Sequence, residues 1–172
     1  MNNLIKAINI YELNAIANGL VFDRMQSDVD HAIDCMKNCI VSGQDLKGAY
    51  NLSDKNRVAA AAKYINECMR SIGRHEASVK IKDNWNVFDI VKETDNEEVV
   101  TALKYLKSLL PEAPTAEVPG DLENLSYIKA NTVERVLYDL CGMFARYLDA
   151  WFYCGEAFAS DFDPYNWQGW DG

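Results

Sequence analysis

The chain has only two histidines, His31 and His75, four prolines, and no Lys or Arg beyond Arg146. With so few imidazoles, a thiol or hydroxyl nucleophile would depend on one of these two residues as its base. No serine sits in a nucleophile-elbow pattern, no glycine-rich loop cradles phosphate, and no Glu-x-x-His pair supports a di-iron bundle. No run of about twenty apolar residues exists to cross a bilayer. The most apolar helical stretch, Leu137 to Phe158, is interrupted by Asp139, Arg146, Asp149 and Glu156. The opening residues, Met1 to Lys6, lack a basic segment followed by an apolar one, so they do not read as a signal peptide and a cytoplasmic protein is expected. Cys35, Cys39, Cys68, Cys141 and Cys154 form an odd set at predicted core positions, which suits reduced, buried thiols better than a disulfide framework.

What the chain does have is negative charge, unevenly placed. Its 172 residues carry a net charge of −9. Residues 1–108 hold 14 basic and 15 acidic side chains, whereas residues 109–172 hold Lys129, Arg135 and Arg146 against eleven acids. A field of this sign repels phosphate backbones and attracts basic surfaces, so direct nucleic-acid binding is disfavoured. The basic groups Lys55, Arg57 and Lys63, and Lys80 with Lys82, are too sparse for a nucleic-acid patch and read as solvated faces.

Apolar spacing is mostly helical. Leu4, Ile5, Ile8, Tyr11, Ala15, Ile16 and Leu20 predict a first helix. Val29, Ile33, Met36 and Ile40 predict a second, with Ser27 and Asp30 at its start and Ser42-Gly43 at its end. A third runs from an N-cap at Ser53 through Val58, Ala61, Ala62, Ile65, Met69 and Ile72 to Gly73. Thr94-Asp95-Asn96-Glu97 reads as a capping box opening a fourth helix, with Val99, Val100, Leu103, Leu106 and Leu110 on its face. Pro111, Pro114 and Pro119 mark a linker across one domain surface. From Asp121 to Ala159 the apolar face of Leu125, Ile128, Val133, Val136, Leu137, Leu140, Phe144, Tyr147, Leu148, Trp151 and Phe158 predicts a long last helix. Asn131 and Glu134 could restart it after a bend. Between Ser78 and Phe88 the period changes to two, compatible with a small β-hairpin or with an extended loop pinned by Trp85 and Phe88. The expected fold is therefore all-α: an irregular bundle of four to five helices with a long C-terminal helix and at most one small hairpin. Residues 1–160 would form one helical domain and residues 161–172 an aromatic, acidic tail.

Three candidate sites follow. His31, Cys35 and Cys39 recur at four-residue steps, as a zinc site on one helix face would need, and Cys68 could complete a set of four. Buried thiols beside a solvent-edge histidine explain the same pattern, so no metal or cofactor is expected. Asp161-Phe162-Asp163-Pro164 alternates acids but lacks the glycine and distant glutamate of a calcium loop. The last 26 residues hold nine of the chain's nineteen aromatics. Large rings are favoured at protein interfaces and carboxylates steer towards basic partners. Trp151, Phe158, Asp161, Phe162, Asp163, Tyr165, Trp167, Trp170 and Asp171 are thus the expected partner-binding residues, unless the rings cap the chain's own core. The reading is a non-enzymatic acidic protein of inhibitor or immunity type, engaging a basic surface of another protein through its C-terminal third. Alternatives are a structural subunit of a homo-oligomeric ring or adaptor, and a small metal-dependent or thiol enzyme using His31, Cys35, Cys39 or His75.

Overall fold

The structure, a computed structural model, describes residues 9–40, 46–71, 79–111 and 113–161, with side chains of the last helix described as far as Leu148. Among these residues it is an all-α bundle of five helices with no strand. They are α1 (Ile10–Gly19), α2 (Gln26–Lys37), α3 (Leu52–Ser71), α4 (Glu93–Leu109) and α5 (Tyr127–Asp161). The hairpin reading fails: residues 79–92 are extended or turn-like without strand pairing. Val79, Ile81 and Trp85 alternate because each buries its side chain against the helices.

α3 is the spine. Its predicted stripe of Val58, Ala61, Ala62, Ile65 and Met69 is buried, and α1, α4 and α5 all pack on it. Small alanines at Ala59, Ala61 and Ala62 let neighbouring helices approach closely. α5 contributes Val133, Val136, Leu137, Leu140, Phe144 and Leu148 to the same core. At 35 residues it spans about 52 Å, using about 1.5 Å per residue.

Three expected helix starts move. α3 is entered from Asn51, whose N–H donates to the Asp54 carboxylate at 2.7 Å, so Ser53 is not the cap. α4 begins at Glu93, where the Lys92 N–H donates to Asp95 Oδ2 at 2.7 Å, in place of the Thr94–Glu97 box. α5 begins at Tyr127, because Asp121–Ser126 forms a loop with Asn124 at φ 47°.

α2 ends differently from expectation as well. Cys39 takes a left-handed conformation at φ 53°, the Ile40 N–H donates to Cys35 O at 2.9 Å, and the Cys39 N–H donates to Met36 O at 3.3 Å. This is a Schellman stop with cysteine where glycine is usual. The helix therefore closes before Ser42-Gly43, which lies outside the described residues.

Candidate functional site

Four charged side chains meet between α1, α3 and α5. Arg24, in the segment between α1 and α2, is buried with Asp54 of α3 and Glu134 of α5. Arg24 Nη2 donates to Asp54 Oδ1 and to Glu134 Oε1, each at 2.8 Å. Arg57, one turn beyond Asp54, grips Glu134 with Nε to Oε2 and Nη2 to Oε1, both at 3.0 Å, and also pairs with Asp54. The remaining groups are used on backbone. Val21 N–H donates to Glu134 Oε2 at 2.6 Å, Arg24 Nε donates to Lys47 O at 3.1 Å, and Arg24 Nη1 donates to Val21 O. Asn131 clasps the Arg24 backbone from both sides, accepting from its N–H and donating to its C=O.

Two carboxylates against two guanidiniums balance the charge. Buried ions are tolerated only when paired and hydrogen-bonded in this way. Burial, with the carboxylates of Glu134 and Asp54, pushes the adjacent Tyr50 phenol above its ordinary range. Both carboxylates are committed to guanidinium and backbone donors. It is a staple that fixes residues 21–24 to α3 and α5. Asn131 and Glu134, read from sequence as a helix restart, are its anchors, and α5 runs unbroken through them.

The thiols separate into two groups. On α2, Cys35 Sγ lies 3.7 Å from His31 Nε2, while Cys39 turns outward in the helix stop. Cys68 lies elsewhere, on the core face of α3 near Tyr64 and Cys141. Burial pushes the Cys68 and Cys141 thiols up to about 12 from an ordinary 9.0. Among the described residues no group of three or more His, Cys, Asp or Glu side chains stands in metal-holding geometry. His75 and Cys154 lie outside the residues whose side chains are described.

The expected partner-binding residues fall at the end of α5 and after it. Trp151, Phe158 and Asp161 are on α5, beyond its described side chains, and Phe162, Asp163, Tyr165, Trp167, Trp170 and Asp171 are outside the described residues. The charge of the final third, however, is not all directed outward. Glu134 is neutralised inside by Arg24 and Arg57. Asp121 pairs with Lys129 at 2.7 Å and Asp139 with Arg135 at 3.0 Å. Glu117 and Glu123 remain exposed.

Sequence reasoning missed a different surface. Asn86–Asp89 is a tight turn: the Asp89 N–H donates to Asn86 O at 3.0 Å, the Phe88 N–H to Asn86 Oδ1 at 3.0 Å, and the Asn86 N–H to Asp89 Oδ2 at 2.8 Å. At its apex Val87 is 79% and Phe88 91% exposed, and Ile90 just beyond is 83% exposed. Turn apices favour Gly, Asn, Asp and Pro, so two large apolar residues there run against local preference.

The turn is held firmly from behind. Trp85 exchanges two hydrogen bonds with the Asn56 side chain, at 2.7 and 3.0 Å. Lys82 Nζ sits 4.3 Å from the Trp85 ring centroid and 2.7 Å from Asp89. Trp85 is thus the pin that the sequence suggested, and Phe88 is the opposite, a ring presented to solvent. The available signal was the run Val87-Phe88-Asp89-Ile90-Val91, too apolar for a surface turn.

A cleft of about 550 Å³ beside α4 is lined by Val79, Lys80, Glu97, Glu98 and Tyr105 among others, but none of its polar side chains is buried to orient a ligand. No helix of the described residues is long and apolar enough to cross a membrane. Comparison with known proteins finds no matching family model and no significantly similar curated protein or solved structure.

Proposed function

We propose that this chain is a non-enzymatic, acidic protein-binding protein of inhibitor or immunity type. Its C-terminal third, with Trp151, Phe158 and the residues from Asp161 to Asp171, engages a basic surface of the partner. The turn at Val87-Phe88 supplies a second, apolar anchor.

The observation that supports this most is the exposure of Phe88 on a turn fixed by Trp85 and Asn56. Soluble monomers rarely keep contiguous large apolar side chains in water unless a contact covers them. A preformed turn also loses little conformational entropy on binding, so its rings contribute most of their burial to affinity. The uncompensated carboxylates of the final third favour a basic partner and raise the association rate at low salt.

Affinity capture from native lysate with the full chain tests the reading. The Phe88→Ser, Ile90→Ser double variant should retain the fold and lower capture about tenfold, the loss expected when a central aromatic anchor is removed. Raising salt should weaken what remains. A captured partner whose yield is indifferent to the double substitution, to neutralising Asp161, Asp163 and Asp171, and to salt would overturn it.

A further inference from the structure

We propose that α2 is a self-association surface, which pairs with α2 of a second copy of this chain in an antiparallel, two-fold arrangement. The reading of the apolar stripe as core is the point of departure. Val29, Ile33 and Met36 do form one stripe, with Ile40 past the stop at Cys39, but the body of the protein takes the neighbouring side of the helix, where Ala32 and Cys35 are buried. Met36 is 63% and Ile40 58% exposed, and Met25 and Ile33 are exposed at the same edge. The principal helix–helix seams join α1, α3, α4 and α5, and α2 takes part in none of them. It is held by its first turn, through Lys47 to Asp28 and the close approach of Gly48 to the Asp28 backbone, and by the burial of Ala32 and Cys35.

A helix with an open apolar stripe of about two turns calls for a partner with a matching stripe. The charges beside this stripe specify which one. Asp30 and Lys37 are two turns apart on the same flank, both exposed. A two-fold axis passing between Ile33 and Asp34 brings Ile33 and Met36 of one copy towards those of the other. On the open flank it sets Asp30 against Lys37, and by symmetry Lys37 against Asp30. In antiparallel pairs, residues on equivalent flanks face each other, so the helix is complementary in charge to itself and not to a parallel copy. The antiparallel setting also opposes the two helix dipoles favourably. Among the described residues no carboxylate pairs with Lys37 inside the monomer, whereas Asp30 accepts only a hydrogen bond from Gln26, at 2.9 Å.

Sedimentation equilibrium of the full chain, from micromolar to submillimolar concentration, tests this. A reductant is needed because Cys39 is exposed at the same helix end. A concentration-dependent dimer is expected, and Met36→Glu should abolish it with the circular dichroism unchanged. Asp30→Lys alone and Lys37→Asp alone should each weaken the dimer about tenfold, because two attractive pairs become repulsive, while the double swap should restore it. Phe88→Ser should leave the dimer intact, which keeps this contact separable from the partner-binding surface. The proposal is overturned by a monomer throughout the range, by a dimer indifferent to Met36→Glu, or by a double swap that fails to rescue.

Discussion

Arg57 and Glu134 meet in a two-point ion pair, Nε to Oε2 and Nη2 to Oε1 at 3.0 Å each, which ties α3 to α5. Glu134 is fully buried, so this is not a surface pair weakened by solvent. Truncating it leaves Arg24 and Arg57 sharing a single carboxylate, that of Asp54, in a buried setting. Glu134→Ala should therefore lower stability by about 3–5 kcal/mol, the range for breaking a buried ion pair from one side. Urea denaturation measures this, and a loss below about 1 kcal/mol would show that the cluster is not the staple described here.

A similar test applies to the approach of two backbones. A Cβ built on Gly48 would lie 1.9 Å from Asp28 O, a backbone atom with no rotamer to yield. Gly48→Ala should cost about 1–3 kcal/mol and disturb the first turn of α2, read as a lower Tm and faster amide exchange there. Gly120→Ala, whose Cβ meets nothing, is the matched control and should be close to neutral.

The α2 stop makes a prediction of opposite sign. Cys39 holds φ 53°, where a side chain strains against the backbone. Cys39→Gly should stabilise the protein by about 1 kcal/mol, whereas Cys39→Ala should not, because alanine keeps the Cβ. Thermal or urea unfolding of the two variants separates them.

The buried thiols set an alkaline limit. Burial holds Cys68 and Cys141 neutral in the folded state, with values up to about 12, while the unfolded chain returns them to about 9. Between those values the unfolded state binds fewer protons than the native state, so stability falls as pH rises. Below pH 9 this contribution is fully present. The urea midpoint should hold steady up to that point and decline above it, with a shallower decline in Cys141→Ala. In the native protein Cys39 should react with iodoacetamide well before Cys68 or Cys141, since it is exposed and they are buried.

How much of this was legible in the sequence depends on how many sides of an element are buried. The stripes of α3 and α4, and that of α5 from Val133 to Leu148, match the buried faces because each helix meets several neighbours, whereas Ile128, expected on the same face, is 60% exposed. The expected stripe of α1 holds at Leu20, which is buried, and at Ile16, which is partly so, but Tyr11 is 82% exposed and the structure buries Leu13 and Ala17. A helix of ten residues gives too few apolar positions to fix the phase. For α2 the stripe was found but its destination was not, since periodicity reports an apolar face without saying what covers it. The alternation of Val79 and Ile81 looked like a strand because both anchor an extended segment, and a strand requires a partner that local pattern does not reveal. The ion cluster was beyond reach altogether. Arg24, Asp54 and Glu134 lie 30 and 110 residues apart in the pairs that define it, and nothing in their immediate neighbours marks them as buried.

Hydrogen exchange on the full chain, alone and saturated with a captured partner, tests the functional account most directly. It predicts slowed exchange at residues 86–91 and in the C-terminal third, with the helices of the core unchanged. Protection confined to other surfaces, with the turn of Phe88 and the final third exchanging as in the free protein, would contradict it.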